Sequence, residues 1–272
     1  MSAALPRTAF SFRRVWAVCL RQIYLLRSSW PRTAEIMYFP AVQMVTWGFL
    51  QRYVAETSNA AALAAGTLIG AVLLWDILFR GQLGFSMSFL EEVWARNIGN
   101  LLMSPLKPME FVAGLMAMSV ARLALGMVPV TLLAVLFFGF NLWGMGFALA
   151  AFFANLILTS WTVGLVVSGL VLRHGLGAES LAWTIMFVLL PLACVYYPVS
   201  LLPAWLQPVA WALPPTYVFE GMRALLIDGV FRADLMAWAL ALNAVAIAGG
   251  IGVFLLMMRR AREAGSLLQF GE

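Results

Sequence analysis

The sequence predicts an all-α polytopic membrane protein, and this prediction rests on the composition and on a series of long apolar stretches. Of the 272 residues, 63% are hydrophobic and only 11% are charged, and the mean hydropathy is +0.92. A soluble domain is about half apolar and a quarter charged, whereas a disordered chain combines low hydrophobicity with high charge. Both classes are excluded, and residues 1–272 are expected to form a single transmembrane domain.

Six transmembrane helices are predicted, because each crossing needs about 20 predominantly apolar residues. The predicted spans are residues 34–53, 60–87, 109–140, 143–172, 181–197 and 234–258. Before them, residues 10–30 are predicted to form an amphipathic helix in the membrane interface, since Phe12, Trp16 and Ile23 recur at helical spacing opposite arginines. Packing of this helix beneath the spans is an alternative that is compatible with an interfacial position.

The distribution of basic residues predicts the orientation. The net charge is +5, and arginines cluster before the first predicted span and again after the last one, at Arg259 and Arg260. Cytoplasmic segments carry excess Lys and Arg, so both termini are expected in the cytoplasm, as an even number of spans requires. No basic patch is interleaved with aromatic residues, which argues against a nucleic-acid partner. A cleavable signal peptide is not expected, because no apolar stretch precedes Arg32.

The connection between the second and third spans is predicted to carry a short cytoplasmic helix at residues 88–104. Ser88 and Glu91 have the spacing of a capping box, and Glu92 and Arg96 have the i,i+4 spacing of a helical ion pair. On this interpretation both carboxylates face the cytoplasm and Trp94 is exposed. A solvated loop helix without a partner is the alternative.

The segment before the last span, residues 198–233, is apolar but is interrupted by five prolines. Proline breaks helices, so a re-entrant pair of short helices is predicted instead of a seventh span. An ion pair is expected between Glu220 and Arg223. The segment is interpreted either as an external gate or as a static plug. Its candidate residues are Trp205, Trp211 and Tyr217, as an aromatic belt, with Glu220 and Arg223.

Motifs for covalent chemistry are missing from the sequence. The single lysine, Lys107, lies in SPLKP, which is not a phosphate-binding loop, and His174 has no second His or Cys nearby. Two cysteines far apart in the predicted topology indicate neither a metal site nor a disulfide. We therefore expect no catalytic residues, no bound cofactor or metal, and no ATP hydrolysis by this chain alone.

Three charged residues, Asp76, Arg80 and Arg122, lie away from the ends of the predicted spans. A charged residue costs about 2.5–3.5 kcal/mol at mid-span. Asp76 and Arg80 are spaced i,i+4 on one helix, and Arg122 on the next span is expected to reach Asp76 as well. These residues either belong to a substrate pathway or form an interhelical pair that fixes packing. Packing is the favoured interpretation, since one carboxylate between two arginines is a poor proton relay.

Taken together, these segments resemble the permease subunit of type-2 ABC exporters, the family of polysaccharide, Nod-factor and drug export permeases. The resemblance rests on the N-terminal amphipathic helix, the six spans and two stretches of sequence. These stretches are ARNIGNLLMSPLKPMEFVAGLM and LLPAWLQPVAWALPPTYVFEGMRALLIDG.

The resemblance implies an exporter of amphipathic, lipid-linked, glycan or drug-like substrates in the bacterial inner membrane. It also implies two permease copies, with a homodimer expected, in contact with membrane lipids and bound to cytoplasmic ABC ATPases that hold ATP and magnesium. Residues 88–104 would then be the coupling helix. The residues expected to dock on the ATPase are Glu91, Glu92, Trp94, Arg96 and Asn97.

Two other classes are weighed against this one. A gradient-driven secondary transporter or channel should show broken spans in both halves or several buried carboxylates. Here only Asp76 is placed deeply, and the proline-rich break occurs in one half. An intramembrane enzyme is disfavoured because no nucleophile–base pair or metal-ligand set is present. Copurification with an ATPase would discriminate among the three.

Overall fold

The computed structural model describes residues 10–58 and 66–263, and these ranges form ten α-helices joined by short connections. Three 3₁₀ turns lie at Leu142–Met145, Gly175–Ala178 and Val199–Leu201. The predicted all-α class is confirmed. The helices are α1 (Phe12–Arg27), α2 (Trp30–Ser58), α3 (Thr67–Trp94), α4 (Ile98–Met103), α5 (Pro108–Phe138), α6 (Phe147–His174), α7 (Leu181–Leu192), α8 (Gln207–Trp211), α9 (Pro214–Asp228) and α10 (Ala233–Glu263).

Four helices in the described ranges are long and apolar enough to cross a membrane: α3, α5, α10, and α6 taken with its following 3₁₀ turn. Each contains 28 to 32 residues. At about 1.5 Å per residue, such helices exceed the roughly 30 Å of a bilayer core. They correspond to the predicted spans at 60–87, 109–140, 143–172 and 234–258, although the first residues of 60–87 lie outside the described ranges. The chain is therefore a multi-pass membrane protein.

The other two predicted spans have a different character. Residues 34–53 lie within α2, a 29-residue helix that includes Pro40 and is not among the four apolar helices. Residues 181–197 are only partly helical, because α7 has 12 residues and ends at Leu192. A helix of that length extends about 18 Å, which is less than the bilayer core. The count of six spans stays a prediction.

Helix α3 lies at the centre of the bundle and packs against α5 and α6, while α6 also packs against α10. In the most apolar 18-residue stretch of α3, 78% of the residues are buried, whereas only 17% are buried in the corresponding stretch of α10. Close packing of α3 on α5 depends on Gly84, where an added Cβ would lie 3.1 Å from the Cα of Ser119. A larger residue at this position would push the two helices apart.

Buried polar side chains join α6 to α10. Asn243 donates a hydrogen bond to the Asn155 side-chain oxygen (3.1 Å) and to its backbone carbonyl (3.0 Å), and it accepts one from Thr159 (2.8 Å). Interhelical hydrogen bonds of this kind hold membrane helices together where the hydrophobic effect supplies little force.

Helix α1 confirms the predicted N-terminal helix but buries an unexpected face. Val18, Cys19 and Gln22 are buried, and the helix packs against α5. Phe12 is 82% exposed and Trp16 is 60% exposed. The predicted apolar stripe is therefore largely free to contact lipid, while Gln22 turns inward to meet polar partners.

The segment before the last span is broken into short elements, as its prolines predict. The 3₁₀ turn Val199–Leu201, the five-residue helix α8 and the longer helix α9 follow one another before α10. Helix α9 packs on α10, α6 and the beginning of α3. The prediction that this segment is not one continuous helix is confirmed.

Candidate functional site

Three buried carboxylates lie at one end of the bundle, at the C-terminal end of α3 and the beginning of α5. They are Glu91, Glu92 and Glu110, and their exposed fractions are 6%, 1% and 0%. A buried carboxylate is costly unless it is paired and hydrogen-bonded. We call these three residues and their partners on α1, α2 and α5 the carboxylate cluster.

Glu92 binds side chains from α1 and from the turn after α3. The Arg21 Nε donates to both carboxylate oxygens (2.8 and 3.1 Å), and the amides of Gln22 (2.9 Å) and Asn97 (2.7 Å) donate as well. The Gln22 amide nitrogen also reaches the Ser88 carbonyl (3.1 Å). One carboxylate thereby ties α1 to the end of α3 and to the turn that follows it.

Glu91 and Glu110 extend the same attachment to other helices. Glu91 accepts hydrogen bonds from Arg122 on α5 (2.6 Å) and Arg32 on α2 (3.2 Å). Glu110 accepts two from Arg14 (2.6 and 2.7 Å) and others from the backbone amides of Ser11 and Lys107. The hydrogen bond to Glu110 raises the pKa of Arg14.

The sequence did not reveal these partners, because they come from distant segments. Glu110 could have been noticed, since it is three residues after Lys107 at the beginning of a helix that opens with Pro108. That is the position from which an acidic side chain caps a helix N-terminus. The α1 arginines gave no such signal, because periodicity alone placed them on the outer face.

The predicted start of a helix at Ser88 is wrong. Ser88 lies inside α3, and its hydroxyl donates to the Gly84 carbonyl (2.8 Å), so it does not cap a helix. The predicted pair of Glu92 with Arg96 is also wrong, because α3 ends at Trp94 and Arg96 adopts a left-handed backbone conformation with φ of 52°. Residues 88–104 are thus the end of α3, a turn and the short helix α4.

The turn and α4 present an exposed surface that we call the elbow, residues 94–104. Trp94 is 43% exposed and Arg96 is exposed, whereas Asn97 is partly buried through its hydrogen bond to Glu92. Met103 is 80% exposed. The Trp94 Nε1 donates to the Glu179 carboxylate (3.3 Å), which follows the 3₁₀ turn after α6.

The predicted residues therefore fall into two groups. Trp94 and Arg96 lie on the outside of the elbow, as expected. The expected cytoplasmic exposure of Glu91 and Glu92 is wrong, since both carboxylates point into the bundle and bind arginines of the same chain.

The intramembrane charges are paired differently from the prediction. Asp76 is fully buried and lies 3.5 Å from Arg80, which confirms their proximity. The expected approach of Arg122 to Asp76 is wrong, because Arg122 donates to Glu91 and Gln22. Helical side chains lean toward the N-terminus of their own helix. On α5 that direction leads toward the carboxylate cluster.

Residues 198–233 are called the external segment after their predicted position. Within it, the predicted ion pair of Glu220 with Arg223 is confirmed at 3.0 Å. Glu220 also accepts a hydrogen bond from the Val199 amide (2.7 Å), and Arg223 donates to the Cys194 carbonyl (3.0 Å). These contacts fasten α9 to residues 194–199, where the proline-rich segment begins.

The predicted aromatic residues of this segment have different surroundings. The rings of Trp211 and Tyr217 meet edge to face, with centroids 4.9 Å apart. Trp205 is 75% exposed. Placement of these rings in a membrane interface stays a prediction.

The model of the ABC-2 type transporter family matches residues 14–227, which include the carboxylate cluster, the elbow and most of the external segment. No curated protein gives a significant match to the chain.

Proposed function

The chain belongs to the ABC-2 type transporter family and is the transmembrane subunit of an ABC transporter, and we propose that it works as an exporter driven by separate ATPase subunits. Subunits of this family generally lack an ATPase site and act with ABC ATPase partners. We propose that ATP and magnesium bind only in those partners, since the chain has no phosphate-binding loop.

The elbow is the proposed docking surface for the ATPase, and its exposure is the observation that carries the proposal. Trp94, Arg96 and Met103 project from the end of a helix whose carboxylates are already bound within the chain. Aromatic and arginine side chains contribute most of the energy of protein interfaces. We propose that Trp94 and Arg96 contact the ATPase, with Asn97 holding the turn, and that Glu91 and Glu92 position the elbow from behind.

The connectivity suggests how docking is coupled to transport. Helix α3 runs without interruption from Thr67 to the elbow, and the carboxylate cluster joins its end to α1, α2 and α5. A displacement of the elbow would therefore move four helices together. Helix α3 also meets α9 near its other end, because the Leu226 and Met222 side chains lie close to Gly70.

We propose an amphipathic, lipid-linked, glycan or drug-like substrate, with the external segment closing the outer end of its path. Trp205, Trp211 and Tyr217 would lie in the outer interface, and the Glu220–Arg223 pair would hold α9 in place. We further propose a homodimer in the bacterial inner membrane. The arginine-rich flanks support cytoplasmic termini.

The test is copurification from membranes of cells that produce the affinity-tagged chain together with its native partners. An ABC ATPase, identified by mass spectrometry through its phosphate-loop sequence, should copurify. Trp94→Ala and Arg96→Glu should each reduce its affinity by about tenfold or more, as expected for interface hot spots. Trp205→Ala is the matched control, because this residue is also exposed but lies in the external segment.

Two outcomes would contradict the proposal. If no ATPase copurifies with the unmodified chain, the proposed energy source is wrong. If ATPase recovery is unchanged in both elbow variants, while their size-exclusion profiles match the unmodified chain, the docking surface is wrong.

A further inference from the structure

A cavity of about 480 Å³ lies between α2, α3, α5 and the beginning of α7. One part of its wall is charged and includes Arg80 and Arg122, and another part is apolar and includes Phe39, Val42 and Phe79. The space is large enough for a small headgroup with part of an attached alkyl chain. Its two kinds of wall match a molecule that is polar at one end and apolar at the other.

The charged part of the wall has unused hydrogen-bond donors. An arginine has five N–H donors, and Arg80 uses its Nε side to pair with Asp76 at 3.5 Å, which leaves its other N–H groups for a ligand. Arg122 is 6% exposed, and its Nε is without a hydrogen-bond partner among residues 10–58 and 66–263. Both Nε atoms are buried, so a ligand in the cavity would meet the other guanidinium N–H groups of the two arginines. Donors there that lack a protein acceptor favour the oxygen atoms of a ligand.

The acidic groups around the cavity differ in how far they neutralise the two arginines. Both carboxylate oxygens of Glu91 are already engaged, one by Arg32 and one by Arg122. Glu35 also lines the cavity, but it is exposed, where water screens its charge. Asp76 does not line the cavity, but it lies 3.5 Å from Arg80 and offsets part of the charge of that arginine. The wall therefore offers donors to a ligand and has little free capacity to bind a cation.

We propose that this cavity binds an amphiphile with a phosphate-type anionic headgroup, which Arg80 and Arg122 hold while the alkyl chain lies along Phe39, Val42 and Phe79. Guanidinium groups match the geometry of phosphate oxygens and bind them by charge-assisted hydrogen bonds. The proposal that the amphiphile binds here depends only on the residues of the cavity. The further statement that such amphiphiles are the transported substrate rests on the proposed export function.

The test is native mass spectrometry of the purified full chain released from detergent micelles, with four probes. Oleoyl lysophosphatidic acid carries the headgroup and the chain, monoolein carries only the chain, inorganic phosphate carries only the headgroup, and oleylamine reverses the charge. We expect one molecule of lysophosphatidic acid to bind with an affinity at least about tenfold higher than that of one molecule of monoolein, because hydrogen bonds between charged groups contribute that much.

Two variants test the two ends of the site. Asp76→Asn combined with Arg80→Gln removes the buried charges as a pair, which avoids leaving one unpaired. It should weaken lysophosphatidic acid binding by about tenfold and leave monoolein binding unchanged. Val42→Trp fills the apolar part and should weaken both probes. Arg52→Gln is the control, because Arg52 is exposed and forms its ion pair with Glu56 away from the cavity.

Several results would overturn the proposal. These are equal binding of lysophosphatidic acid and monoolein, tighter binding of oleylamine, or phosphate-selective binding that neither variant affects. Binding of inorganic phosphate alone with full affinity would point to a free anion and would also overturn it. Because these measurements use the chain without an ATPase, they fail or succeed independently of the copurification experiment.

Discussion

Replacing Glu92 with alanine should detach α1 and the elbow from the end of α3. The variant removes the acceptor for Arg21, Gln22 and Asn97 at once, and the carboxylate that it deletes is only 1% exposed. Gln22 is fully buried, so its amide would lose a partner without gaining water. We therefore expect Glu92→Ala to lower the free energy of unfolding by a large amount for a residue at the end of a helix.

The magnitude follows from the exposure of each partner. Hydrogen bonds to a charged group contribute about 1.5–3 kcal/mol each, which applies to the contacts of Glu92 with Gln22 and Asn97. The Arg21 side chain is 40% exposed. Its ion pair with Glu92 is therefore expected to contribute about 0–1 kcal/mol, as a surface ion pair does. We expect Glu92→Ala to lower the free energy of unfolding by about 3–5 kcal/mol, in the range for a broken buried pair.

The measurement is an unfolding titration with SDS in mixed micelles, followed by circular dichroism. Glu56→Ala is the matched control, because this carboxylate also pairs with an arginine but is 65% exposed. It should cost no more than about 1 kcal/mol. A loss for Glu92→Ala no larger than that of Glu56→Ala would refute the reasoning that the cluster anchors α1 and the elbow.

Two further predictions concern the middle and the outer part of the bundle. Asp76→Asn alone leaves Arg80 as an unpaired buried cation and should lower the free energy of unfolding by roughly 3–5 kcal/mol in the same titration. A stable Asp76→Asn protein with altered ligand preference would contradict a packing role for Asp76. In intact cells, an impermeant thiol reagent should label cysteines placed at Asp228, at the end of α9, and at Arg232 beyond it, because both residues are exposed. A cysteine at Val209 should not be labelled, because the re-entrant prediction places this 45% exposed side chain against lipid. Strong labelling at Val209 would show an exposed loop and exclude a re-entrant segment.

The sequence predicted those parts of the fold that depend on local pattern. Long apolar stretches and helical periodicity indicated α1, α3, α5, α6 and α10, and prolines indicated the break before α9. These signals lie within one segment, so no knowledge of tertiary contacts was needed. The length of α7 was missed because residues 193–197 are apolar, and hydropathy alone does not show where a helix ends.

The candidate site was predicted less well, because it depends on contacts between distant segments. A local pattern suggested that Ser88 begins a helix, yet α3 continues because Glu91 and Glu92 are stabilised by arginines from α1, α2 and α5. These arginines are separated from the carboxylates by 31 to 71 positions in the chain. The i,i+3 pair of Glu220 with Arg223 was predicted correctly, since both partners lie on one helix.

Parallel ATP-hydrolysis assays of the purified chain, of its complex with the copurified ATPase, and of the complex carrying Trp94→Ala test the central claim most directly. The account predicts no hydrolysis by the chain alone, hydrolysis by the complex, and a reduced rate when Trp94 is replaced. Hydrolysis by the chain alone would contradict it, and so would substrate movement in proteoliposomes driven by an ion gradient without ATP.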